Sequence, residues 1–71
     1  MANKLSIKQL RVVNNLTQFE MAEILDISIT SYSLKELGKR MWSFDEIVRL
    51  KKYFNIKIDD LIEVEKILNT L

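Results

Sequence analysis

The residue types that most often carry out reactions are sparse in this chain. It has no histidine and no cysteine, which excludes Ser-His and Cys-His nucleophilic catalysis, imidazole and thiolate metal sites, and disulfides. Six carboxylates in the second half, Asp45, Glu46, Asp59, Asp60, Glu63 and Glu65, are the remaining candidates. Most fall in expected helix first turns, where the helix dipole favours negative charge, or on a solvated face. Asp59 and Asp60 are adjacent, so on a helix their side chains diverge, and no third metal ligand is evident. With a single glycine there is no phosphate-cradling loop. Neither catalysis nor a cofactor is expected. What remains is contact chemistry: amide, hydroxyl, cationic and aliphatic side chains presented on a surface. These concentrate between Leu16 and Arg40.

The elements that must position them follow from local signals. Thr17-Gln18-Phe19-Glu20 is a capping box and opens a helix carrying Met21, Ala22 and Leu25 at helical spacing. The pattern breaks at Asp26-Ile27-Ser28. Ser28 is a good N-cap for a second helix, Ile29 to Leu37, and Gly38 suits the residue just past its end. Helix, short turn, helix is the geometry of a helix-turn-helix, whose second helix is presented outward.

The rest of the chain reads as a frame. Leu5 to Asn14 is a first helix, with Ser6 as a cap, an inward stripe of Ile7, Leu10 and Val13, and Asn14-Asn15 as a stop. Leu16 is placed to staple onto the next helix. Lys39 to Trp42 is a loop, with Trp42 as a plug against the core. Ser43-Phe44-Asp45-Glu46 is a second capping box and opens a helix to about Phe54, buried through Ile47, Leu50 and Phe54. Ile56 and Ile58 plug the next connection. Asp59-Asp60 starts a last helix, about Asp60 to Asn69. Its seam of Leu61, Val64, Leu68 and Leu71 either completes the core or pairs with a second copy as a homodimer. The expectation is an all-α, compact five-helix bundle forming a single domain over residues 1–71.

Composition bounds the partners. Net charge is only +1, and apolar content is 48%, ordinary for a folded domain. Residues 1–40 carry six basic and four acidic side chains, and residues 41–71 five and six, so the excess of positive charge sits in the helix-turn-helix half but is small. The run Arg49, Lys51, Lys52 reads as a solvated helix face. No apolar run approaches about 18 residues and MANKLSIKQL lacks a signal-peptide pattern, so a cytoplasmic protein without a membrane partner is expected.

LTQFEMAEILDIS, Glu36 with Gly38-Lys39-Arg40, and SFDEIVRLKKYFNIKIDDLI together resemble the lambda-repressor-like or Cro-type helix-turn-helix family, also called the xenobiotic-response-element family. The resemblance covers about Leu5 to Ile62. It implies a transcription regulator, and the length and order of features are similar to small regulators of temperate-phage switches. By resemblance, Gln18 bonds a DNA phosphate, Thr30, Ser33 and Leu34 lie on the outward face of the recognition helix, and Lys39 and Arg40 contact the DNA backbone. Lys35 would add the one cation of that helix. Arg11 and Glu36 match a structural ion pair between the first and third helices.

The outward face departs from the family pattern. At about 100° per residue, Ile29, Thr30, Ser33, Leu34 and Leu37 share the outward half of the third helix. Base edges present donors and acceptors, yet three of these five residues are aliphatic. Phe19 also replaces a usual polar residue. Two functions fit. In one, Phe19, Ile29, Thr30, Ser33, Leu34 and Leu37 dock on a partner repressor protein and block its DNA binding, as in the antirepressor (modulator-of-repression) proteins of phage lysis–lysogeny switches. In the other, Gln18, Thr30, Ser33, Lys35, Lys39 and Arg40 bind operator double-stranded DNA directly, as a Cro-like dimer. A plainer arrangement would pack Leu37 on the fourth helix and Ile29 on Phe19, leaving only Leu34 exposed.

Overall fold

The first four helices are each opened by a capping side chain. In the computed structural model, which describes residues 4–69 and the side chains through residue 65, the helices are α1 (Ile7–Val13), α2 (Gln18–Leu25), α3 (Ile29–Glu36), α4 (Phe44–Phe54) and α5 (Ile62–Asn69). A 3-10 turn, Ile58–Asp60, precedes α5. Ser6, Thr17 and Ser43 each cap a helix and each forms a reciprocal box, with Gln9, Glu20 and Glu46 reaching back to the cap amide. Ser28 caps α3 by accepting from the Ser31 amide. The all-α expectation holds, and no helix among the described residues is long and apolar enough to cross a membrane.

The helix ends share one device. Asn15, Asp26, Gly38 and Asn55 take left-handed backbone conformations, with φ of 57°, 57°, 81° and 53°. The next amide in each case returns to a carbonyl of the last turn: Leu16 to Arg11 at 3.1 Å, Ile27 to Ala22 at 3.0 Å, Lys39 to Leu34 at 2.9 Å and Ile56 to Lys51 at 3.2 Å. This is the closed C-terminal turn in which an apolar residue commonly follows the left-handed one. Leu16, Ile27 and Ile56 obey it and pack against the core. After α3 the same position is Lys39, which is exposed.

The core gathers Ile7, Leu10, Met21, Ala22, Leu25, Tyr32, Trp42, Ile47, Leu50, Leu61 and Val64. Trp42 plugs the α3–α4 loop, edge-on to Tyr32 with ring centroids 5.6 Å apart. Leu61 and Val64 complete the core, while Leu68 and Leu71, the rest of the expected seam, lie outside the described side chains.

Two expectations need correction. Val13 is 63% exposed, because steps of three residues drift backward around a helix and place it about 120° from Ile7. The chain also does not enter its first and last helices where expected. Leu5 and Leu61 are extended and form a parallel bridge, with Leu5 N–H donating to Asp60 O at 2.8 Å and Ile62 N–H to Leu5 O at 2.9 Å. α1 therefore starts after Ser6, and α5 starts at Ile62 rather than at Asp60. Glu63 then accepts from the Ile7 amide at 3.0 and 3.1 Å, so a carboxylate of α5 satisfies the first amide of α1. Lys4 and Glu65 add an exposed ion pair at 3.0 Å.

Asp26 holds a left-handed conformation inside the helix-turn-helix turn, which glycine adopts with less strain. Asp26→Gly is expected to raise unfolding free energy by about 0.5–1 kcal/mol in urea titrations at constant slope.

Candidate functional site

α3 is fixed by its last turn. Glu36 and Lys35 both turn away from solvent, and each meets a partner from another helix. Arg11 Nε donates to Glu36 Oε2 at 3.0 Å and Arg11 Nη2 to Glu36 Oε1 at 3.1 Å, a bidentate pair whose side chains are 16% and 5% exposed. Arg11 Nη1 also donates to Leu16 O at 3.0 Å. Gln18, the first residue of α2, donates its amide to Glu36 Oε1 at 3.1 Å. One carboxylate thus joins α1, α2 and α3.

Burial opposes ionisation of Glu36, but the hydrogen bonds from Arg11 and Gln18 prevail and hold its carboxyl below the usual carboxylate value. The Tyr32 hydroxyl is buried against this pair and makes no hydrogen bond of good geometry. Its proximity nonetheless contributes to the Glu36 shift, while burial, reinforced by Glu36, pushes the Tyr32 phenol upward. Hydrogen bonding to Glu36 raises the Arg11 guanidinium against its desolvation.

Lys35, counted among the contacts of the DNA-binding alternative as the one cation of α3, lies inward: its ammonium pairs with Glu46 on α4 and sits 5.9 Å from the Trp42 ring centroid. The two oxygens of Glu46 divide their work. Oε1 closes the capping box by accepting from Ser43 N–H at 2.7 Å, and Oε2 takes Lys35. Burial opposes ionisation of Glu46, and Lys35 with the Ser43 amide outweighs it, so its carboxyl is also lowered.

With both charges drawn inward, the outward face of α3 is neutral. Gln18, Ile29, Thr30, Ser33 and Leu34 line an open concavity of about 340 Å³ between the start of α2 and α3. Leu34 is half-buried, whereas Ile29 is 46% and Leu37 68% exposed, so it is not Leu34 alone that faces outward. Phe19, 57% exposed, and Leu37 lie outside the concavity. Lys39 and Arg40 follow in the exposed loop, where Arg40 Nη1 donates to Ser31 Oγ at 3.0 Å. Met41 and Phe44, not singled out by sequence, are exposed just beyond it.

Residues 6–67 match the family described as the helix-turn-helix domain. The chain belongs to that family. A curated relative, the HTH-type transcriptional activator BcrR of Enterococcus faecalis, is 36% identical over 62 residues, covering 87% of this chain and 30% of the relative. The chain thus spans under a third of that protein's length. No solved structure matches the chain significantly.

Two outcomes follow from the ion pairs. Arg11→Met leaves Glu36 buried without its partner and is expected to cost about 3 kcal/mol in urea unfolding at neutral pH. Glu36 and Glu46 have folded pKa values below their unfolded ones, near 4.5, so the unfolded chain binds more protons there. Their contribution is complete at neutral pH and is lost as pH falls from about 4.5 through the lower folded values. Glu36→Gln with Glu46→Gln is expected to flatten the fall of unfolding free energy between pH 5 and 3, measured by urea titration.

Proposed function

We propose that this chain is a helix-turn-helix transcriptional regulator that lays the outward face of α3 in the major groove of double-stranded DNA. Family membership and the regulator among its relatives support the regulatory part. The observation that carries DNA contact is the neutral concavity of Gln18, Ile29, Thr30, Ser33 and Leu34, with Lys39 and Arg40 exposed in the loop that follows α3. No carboxylate lines the concavity, so nothing in it repels a phosphate backbone. Gln18 commits one N–H to Glu36, and the second N–H of a primary amide remains chemically available for a phosphate oxygen. Lys39 and Arg40 supply the sequence-independent attraction. A Cro-like dimer would place two such faces on half-sites about 34 Å apart.

A second reading keeps the same face and changes its partner. Phe19, Ile29 and Leu37 are exposed and apolar, and the inward turn of Lys35 removes the one cation of α3 from that side. These features favour a phage-switch antirepressor that docks this face on a partner repressor and displaces it from DNA.

Anisotropy of labelled duplexes, selected by the protein from a random-sequence library, separates the readings. Direct binding that weakens with salt is expected, and Lys39→Ala should lower the slope of log affinity against log salt by about 1. No duplex binding, with tight salt-insensitive capture of a purified partner repressor and release of that repressor's DNA, would establish the antirepressor instead.

A further inference from the structure

The composition of the concavity restricts what it can read. The geometry points to thymine 5-methyl groups as its ligand, contacted by Ile29 and Leu34, so that these two residues set the sequence preference of the domain. The inference rests on the DNA-binding reading and specifies the base chemistry at the same face.

The major-groove floor presents hydrogen-bond donors and acceptors at every base pair and one apolar group, the thymine C5 methyl. Ile29 and Leu34 can offer no hydrogen bond. Pressed on a guanine, adenine or cytosine edge, they would strip water from polar atoms and return nothing, which is penalised. Pressed on a thymine methyl, they bury apolar surface against apolar surface. The polar members of the concavity do not compete for discrimination. The hydroxyls of Thr30 and Ser33 each donate or accept, so they tolerate any base edge. Gln18 has one N–H held by Glu36 at 3.1 Å, which anchors it at the rim. Lys35, the one side chain of α3 able to donate to a guanine edge as a cation, is held by Glu46 on the opposite side. The selective contacts therefore fall to Ile29, 46% exposed, and to Leu34, half-buried at the concavity wall.

The test starts from a duplex selected by the wild-type protein and replaces each thymine in turn by deoxyuridine, which keeps the hydrogen bonds of the pair and removes only the methyl. Affinity is expected to fall about fourfold for each contacted methyl removed. In Ile29→Ala the penalty at one position should vanish, and in Leu34→Ala that at a neighbouring one. Ile29 is exposed enough that its substitution leaves folding intact, so the result does not depend on the Leu34 variant. Salt-dependent binding that is indifferent to deoxyuridine throughout overturns the inference and leaves DNA binding standing. A deoxyuridine penalty that persists unchanged in Ile29→Ala and a folded Leu34→Ala overturns the assignment to these residues. Failure to bind any selected duplex overturns the inference together with the reading on which it rests.

Discussion

The buried carboxylate of Glu36 is the point on which the helix-turn-helix depends. It receives Arg11 from α1 and Gln18 from α2, and Arg11 also donates to the Leu16 carbonyl that leads into α2. The angle of α3 to α2 is thereby set by polar contacts as well as by Tyr32 and Met21 in the core. Directional bonds matter here because α2 and α3 have eight residues each, too short to be stable helices alone. A 71-residue chain also has only a few kcal/mol of stability to lose, so a charge left alone at this point threatens the whole fold.

The next residue back, Lys35, ties α3 to α4 through Glu46. The two ion pairs have a joint effect on the surface. Adjacent residues of opposite sign at the end of α3 are both consumed inside, and the face left to the outside holds hydroxyls and aliphatics. The apolar character of that face and the rigidity of its mounting have the same cause. The closed turn after α3 continues the pattern. Where other helix ends place Leu16, Ile27 or Ile56 into the core, this one places Lys39 on the surface beside Arg40.

Much of the frame was legible because helix caps are local. Ser6, Thr17, Ser28 and Ser43 announce their helices, and the ends at Asn15, Gly38 and Asn55 follow from residues that tolerate positive φ. The Arg11–Glu36 pair was legible only through resemblance, since nothing local links residues twenty-five apart. What escaped the sequence was non-local and polar. Lysine is normally solvated, so Lys35 reads as a cation free for DNA until α4 brings a carboxylate to it. Asp59 and Asp60 read as the start of the last helix, but they end a 3-10 turn, and the pairing of Leu5 with Leu61 keeps Leu61 extended before α5 can begin. The outward placement of Ile29 and Leu37 followed from helical periodicity, and Phe19 was picked out only through resemblance. That Leu34 would be the covered member of the set depended on how closely α3 approaches Gln18.

The bridge between Leu5 and Leu61 also has a consequence in time. The first amide of α1 waits for Glu63, and the backbone partners of Leu5 are Asp60 and Ile62. During synthesis those partners follow α1 to α4, so the N-terminal end of α1 waits for them although Arg11 can already pair with Glu36. The α2–α3 hairpin can dock on α4 earlier, leaving the stretch from Leu5 to the Ile7 amide as the final piece to close. Folding of this domain during synthesis is thus expected to finish only when its last helix is free of the tunnel.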